Sequence, residues 1–354
     1  MAGVAALVAA ALWGAAGCDS ASAHHPAPGG ATTAAAAAAG GAPRPVPHGR
    51  GSHIPYDFNG DGHRDLVVND LAKGDSHGDD AGIAVVYGTG SGRALDPAAR
   101  QVLTTRRDAA PVGGEPPATF DAEAACDLDG DGFGDLIVTT DPPYDGIGRP
   151  PVPLQVLFGG PGGLTGRAVV LGIPERARYG NDWPDHPVCG DFDGDGSTDL
   201  AVTATGGRVS FLRGPFARTG APRAAGASLP GGGPVLAAPE PRADANGDGY
   251  DDLVVSAPGA RARLLLGGPR GPVRPGGTYT YARTPKLPAT ALPGGGPAPV
   301  TDVLQVADFT GDKVPDVAVR VHRGETRDLV AVYAGAGAGV REKPLVGFTT
   351  AGWG

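Results

Sequence analysis

The sequence predicts an all-β fold, and three observations predict it. An Asp-rich loop recurs five times in one register. Each copy runs straight into a short β-branched apolar run, which reads as a buried strand. A second apolar run ending in Gly follows in every unit. Units of four short strands, each able to bury its sheet only against neighbours, make a β-propeller of four-stranded blades. Five repeats are visible, and six or seven blades stay open.

Composition is consistent with this. Of 354 residues 41% are apolar, enough for a sizeable core. Gly (61) and Pro (36) exceed a quarter of the chain, a level that signals low complexity unless the glycines are patterned. Here they are patterned. The abundance of Ala, Gly, Pro and Arg reads as the coding bias of a GC-rich bacterium. The net charge of −9 argues against a nucleic-acid partner, which usually meets a basic face.

The first element is an apolar run, Val4 to Ala16, too short to span a bilayer and suited to a signal peptide. It ends in Ala15-Ala16-Gly17-Cys18, which resembles a bacterial lipobox with Ala15 where Leu is usual. The resemblance implies lipidation of Cys18 and an exported, extracellular or cell-surface protein. Membrane contact is then expected only through that anchor. Residues 19–52 lack apolar periodicity and read as a disordered Ala/Gly/Pro tether. The folded region is expected over 53–354. Cys126 and Cys189 flank corresponding loops, and an exported chain permits one disulfide between them without requiring it.

The five loops read DFNGDGHRDLVV, DLDGDGFGDLIV, DFDGDGSTDLAV, DANGDGYDDLVV and DFTGDKVPDVAV. Their starts are 70, 64, 53 and 64 residues apart. Oxygens at positions 1, 3, 5 and 9, with the carbonyl of position 7, suit a hard cation with six to eight oxygen ligands, about 2.3–2.6 Å away. Calcium is the cofactor that this pattern predicts. In the first loop the ligands are Asp57, Asn59, Asp61, the His63 carbonyl and Asp65. In the second they are Asp127, Asp129, Asp131, the Phe133 carbonyl and Asp135. In the third they are Asp191, Asp193, Asp195, the Ser197 carbonyl and Asp199. In the fourth they are Asp244, Asn246, Asp248, the Tyr250 carbonyl and Asp252. In the fifth they are Asp308, Thr310, Asp312, the Val314 carbonyl and Asp316.

Position 6 is Gly for the sharp turn, except for Lys313 in the fifth loop, which is expected to bind most weakly or to stay empty. Polar Asp-Gly turns without metal would look similar singly, but five in register with an acid at position 9 argue for the ion. An EF-hand is excluded, because position 12 is Val in every copy where a bidentate Glu is needed.

The second strands are 83–88, 154–160, 209–214, 263–268 and 329–335. Further strands are expected at 167–173, 278–283 and 343–348. A segment before each loop completes four per unit.

These residues resemble the FG-GAP repeat, the blade of integrin α-chain propellers and of bacterial exported (VCBS) repeat proteins. DANGDGYDDLVVSAPGA from Asp244 fits best, and Phe158-Gly159 and Tyr87-Gly88 match its aromatic-Gly strand end. The resemblance implies structural calcium on one face and ligand binding by loops of the other. It implies seven blades, where five repeats are seen.

On the ligand face the expected contacts are Tyr144, in the long loop 139–153, and Tyr179 and Trp183, in 178–189. Inter-blade packing is the competing reading of Trp183. Residues 69–82 form the other long loop. The chain shows no Gly-x-Ser-x-Gly elbow, zinc-protease helix or phosphate loop. The function expected is non-catalytic binding of a protein or carbohydrate at the cell surface. A secreted hydrolase with its site at the propeller centre, or a purely structural wall component, are the alternatives.

Overall fold

The computed structural model describes residues 42–353, except 76–81, 91, 142–152, 182–183, 258, 282–284, 289–291, 293–297 and 338. The signal, Cys18 and most of the tether lie outside the described residues, as do Tyr144 and Trp183. Among the described residues, no helix is long and apolar enough to cross a membrane.

The fold is all-β, with antiparallel sheets in sequence order and two single-turn helices, α1 (Thr105–Asp108) and α2 (Glu175–Arg178). Unit 1 pairs β1 (Leu66–Val68), β2 (Ile83–Gly88) and β3 (Leu95–Leu103). Unit 2 pairs β4 (Phe120–Cys126), β5 (Asp135–Thr140), β6 (Gln155–Leu157) and β7 (Val169–Val170). Unit 3 pairs β8 (Val188–Gly190), β9 (Asp199–Ala204), β10 (Arg208–Phe216) and β11 (Pro222–Ala225). Unit 4 pairs β12 (Val235–Ala237), β13 (Leu253–Ser256), β14 (Arg263–Leu266) and β15 (Arg274–Thr278). Unit 5 pairs β16 (Val300–Ala307), β17 (Asp316–Arg323), β18 (Arg327–Tyr333) and, after the ribbon of β19 (Gly335–Ala336) and β20 (Gly339–Val340), β21 (Val346–Phe348). Four-stranded meanders of this kind are propeller blades.

Two expectations need correction. Unit 1 has three strands, not four, because residues 49–56 follow an irregular path instead of an inner strand. His53 and Tyr56 there have φ of 57° and 62°, which ladder pairing does not accommodate. The last strand of unit 4 runs over 274–278, not 278–283. The turn before it closes tightly, with Gly271 N–H donating to the Gly268 carbonyl at 2.7 Å, so pairing restarts early. Tyr279 and Tyr281 then stack edge to face beyond the strand, with ring centroids 5.2 Å apart.

The core lies between sheets. Val85 and Tyr87 of unit 1 pack with Leu136 and Leu157 of unit 2. Ile137 and Val156 pack with Leu200 and Leu212 of unit 3. Ala201 and Phe211 pack with Leu253 and Leu265 of unit 4. The other face of unit 1, with Leu66 and Val86, packs on Val330 and Phe348 of unit 5. Among the described residues no hydrophobic cluster joins units 4 and 5. The far face of unit 5, with Val317 and Tyr333, is covered instead by Leu287 and Val340. Units 1, 2 and 3 thus bury both faces through neighbouring sheets, as the repeat pattern requires.

Candidate metal centres

In units 2 to 5 the loop joins the inner strand to the next strand, in unit 1 it leads into β1, and all five loops repeat one hydrogen-bond pattern. The position 1 carboxylate gathers the turn. Asp127 accepts N–H groups from Gly130 (2.8 Å), Asp131 (3.1 Å) and Gly132 (2.9 Å). Asp308 does the same for Gly311, Asp312 and Lys313 at 2.6, 3.1 and 2.8 Å. The position 5 carboxylate accepts the position 7 N–H in every copy, as from His63 to Asp61 at 3.0 Å. The turn therefore forms from the chain's own polar groups.

The position 9 carboxylates are a different device. Asp65, Asp135, Asp199 and Asp316 are fully buried and Asp252 nearly so. Each accepts the N–H of a glycine near the end of the second strand: Gly88, Gly159, Gly214, Gly267 and Gly335, at 2.8 to 3.0 Å. Four of them also accept the N–H of position 2, as from Leu128 to Asp135 at 2.8 Å. The strand-end glycine is required sterically. A Cβ on Gly159 would lie 2.2 Å from the Gly134 carbonyl oxygen.

Electrostatics at these loops call for a cation. Burial pushes the Asp135 carboxyl up to about 8 and that of Asp199 to about 7, against their backbone hydrogen bonds. Burial also raises the Asp65 carboxyl well above its ordinary value. Among the described residues, three buried side-chain oxygens have no hydrogen-bond partner: Asn59 Oδ1, Asp193 Oδ1 and Asp199 Oδ2. All three are ligand atoms that the sequence pattern assigns, at positions 3, 3 and 9. Buried acceptors are otherwise paired in folded proteins. Ligand oxygens of Asp127, Asp129 and Asp135 fall within 4.8 Å of one another, as do those of Asp191, Asp193 and Asp195. The donor set fits a hard divalent ion in the second and third loops, and the orphaned Asn59 extends that fit to the first.

Arginines that the pattern did not foresee reach three loops. Arg218, from the turn after β10, lies 2.8 Å from Asp129 of the second loop and also contacts Asp131. Arg213 and Arg223 pair with Asp193 and Asp195 of the third, and Arg274 with Asp248 of the fourth at 2.7 Å. They lower the repulsion among carboxylates that would otherwise be uncompensated.

Position 2 was also missed by sequence reasoning. Phe58, Leu128, Phe192 and Phe309 there are buried plugs. The backbone at three of them stitches the first four units together in sequence. The Phe58 carbonyl accepts the Gly160 N–H of unit 2 at 3.1 Å, Leu128 accepts Phe216 of unit 3 at 2.7 Å, and Phe192 accepts Gly268 of unit 4 at 2.9 Å. The legible signal was an apolar residue inside an otherwise polar loop.

Residues 44–52, assigned by composition to the tether, lie across the first two loops. Gly49 N–H donates to the Asn59 carbonyl at 3.0 Å, and Ser52 N–H to that of Gly132 at 2.7 Å. Cys126 and Cys189 form a disulfide, with Cα atoms 6.4 Å apart, joining the inner strands of units 2 and 3. Tyr179 is 58% exposed, in the left-handed region, with the Arg208 guanidinium 4.8 Å above its ring.

Fold and loops together define a class: an all-β protein of repeated antiparallel blades, each carrying an acidic turn. The FG-GAP repeat family model matches residues 243–279, the loop and the last three strands of the fourth unit, so the chain carries an FG-GAP repeat there. Among curated proteins the comparison finds no match to the chain.

Proposed function

We propose that the chain is a non-catalytic, calcium-stabilised extracellular β-propeller that binds a protein or glycan at the cell surface. The observation that carries the metal part is the trio of orphaned oxygens, Asn59 Oδ1, Asp193 Oδ1 and Asp199 Oδ2. Bound calcium would supply the positive charge that these buried loops lack. Positions 1, 3, 5 and 9 would hold it, and the stitches at position 2 would carry its stabilisation into the blade interfaces. Binding energy of this kind adds to folding.

Calcium titration by calorimetry and native mass spectrometry tests it. Uptake of several ions with a chelator-sensitive melting midpoint is expected, and no uptake refutes the metal part. Export with a lipid anchor on Cys18 belongs to the same reading. Mass spectrometry of the mature N-terminus checks it. A second reading, a hydrolase at the propeller centre, has Glu123 on its side, whose carboxyl burial and Asp185 push up to about 7. Turnover of a polysaccharide or ester that is lost on replacing Glu123 would favour it.

A further inference from the structure

The missing inner strand of unit 1 leaves a cavity of about 710 Å³ where units 1, 2 and 5 meet. The volume suits a small ligand. Its wall includes Gly324 and Glu325, in the turn that joins β17 to β18.

The formal charges on its wall are largely spent on one another. His322 lies 2.9 Å from Asp302, and Lys73 lies 3.8 Å from Glu325. Arg320 faces Asp328 at 3.6 Å. The hydrogen-bonding capacity is not spent. The Arg320 side chain is only 8% exposed; its Nε is turned to Asp328, and its Nη1 makes only a long contact of 3.5 Å to the Asn69 carbonyl. Gln305 Nε2 is buried without a partner. Across the cavity the acceptors are the carboxylates of Glu123 and Asp70. Glu123 takes one hydroxyl hydrogen bond, from Thr139 at 3.1 Å. Val67, Leu71 and Leu304 supply an apolar floor beside the Tyr56 ring. Tyr56 and Asp70 both hold positive φ, of 62° and 51°, and strain of this kind gathers at binding sites.

We propose that this cavity binds the terminal unit of a neutral saccharide. Unspent donors on one wall, unspent acceptors on the other and an apolar floor match a compact ring whose hydroxyls both donate and accept and whose C–H face is apolar. An anionic ligand would meet unpaired Glu123 and Asp70 with its own charge. A strongly cationic one would leave the buried Arg320 and Gln305 donors unmet, which is costly. The inference rests on the reading of the chain as a binding module and specifies its ligand.

The test is calorimetric titration of the full calcium-loaded chain with cellotetraose, mannotetraose and N-acetylated chitotetraose, beside oligogalacturonate and spermine. Saturable binding of at least one neutral saccharide is expected. Gln305→Leu and Glu123→Ala should each weaken it by about tenfold, the equivalent of one hydrogen bond to a buried polar group. Melting midpoints of both variants should be no lower than the parent's, with calcium uptake unchanged, which separates loss of the site from loss of the fold. Silence of all three neutral saccharides at millimolar concentration overturns the inference. So does tighter binding of oligogalacturonate or spermine, or binding that neither variant weakens. In each of these cases intact calcium uptake would leave the broader reading standing. Absence of calcium uptake would strike that reading alone.

Discussion

His53 Nδ1 lies 2.6 Å from Asp127 Oδ2, so the chain just before the first loop reaches the first carboxylate of the second. One residue earlier, Ser52 Oγ donates to Asp57 Oδ2 at 2.5 Å. Asn59 Nδ2 donates back to the Pro47 carbonyl at 2.9 Å. This segment helps seal the first loop, where Asp57, Asn59 and Asp65 are fully buried. A chain starting at residue 53 should therefore melt several degrees lower and bind calcium more weakly at the first two loops. Each lost hydrogen bond is worth about 1 kcal/mol. Scanning calorimetry with and without calcium measures both, and an unchanged midpoint would show that the segment is a passive tail.

The two kinds of loop carboxylate should separate under mutation. Asp193 accepts no backbone N–H among the described contacts and meets Arg213, whereas Asp199 clamps the Gly214 N–H at 3.0 Å from full burial. Asp193→Ala should remove one bound calcium and leave the chelated melting midpoint within a degree or two. Asp199→Ala should lower that midpoint with or without calcium, because the orphaned N–H costs roughly 1–3 kcal/mol of stability. Equal behaviour of the two variants in chelator would refute the division of labour.

How far the sequence was legible follows from what each feature depends on. The loops were legible because ligand type, turn and strand start share one local register, and the Asp127 to Asp135 network realises it. The shift of the fourth blade's last strand to 274–278 was not, because it depends on how the turn at Gly268 closes. Nor was the missing inner strand of unit 1, where segment 44–56 is drawn onto loops 1 and 2 by contacts far along the chain. Arg218 at Asp129 was invisible for the same reason, since 89 residues separate them and no local spacing encodes that meeting. Position 2 was readable in principle from Phe58, Phe192 and Phe309.

The Cys126–Cys189 bridge closes a ring of 63 residues. Cross-linking a ring of that size stabilises by about 4 kcal/mol in the chain-entropy account. The Cys126→Ala/Cys189→Ala pair should lower the melting midpoint by several degrees, and calcium should recover part of the loss because loops 2 and 3 stitch the same pair of blades. Thermal melts of the double variant with calcium and with chelator check this. A loss identical in the two conditions would mean that bridge and loops act independently.

Lys313 occupies the turn position that is Gly in the other loops, at φ 68°. A side chain in that region costs about 1 kcal/mol. No atom crowds the equivalent site at Gly249 or Gly196, so the cost is conformational and not steric. Lys313→Gly should raise stability in chelator by about that amount and, by removing a cation beside Asp308 and Asp312, strengthen calcium uptake at the fifth loop. Chelator melts and ion counting by native mass spectrometry read the two effects separately.

Glu123 gives the pH dependence. Glu123 is exposed by surface area, but that surface faces the cavity, whose walls limit its solvation. Burial first and Asp185 second push it from the ordinary 4.5 to about 7. The folded state then holds a proton that the unfolded chain releases near 4.5. Below that pH both states are neutral and the group costs nothing. As pH rises from about 4.5 to about 7 the unfolded state ionises first, and stability falls; above about 7 the loss is complete. Glu123→Gln lacks this titration while keeping the shape and the contact to Thr139. In saturating calcium the variant should therefore match the parent near pH 5 and exceed it at pH 8. Loop carboxylates titrate in both proteins and cancel in the comparison. A difference in melting midpoint that stays flat across that range would mean that the cavity solvates Glu123 as water does.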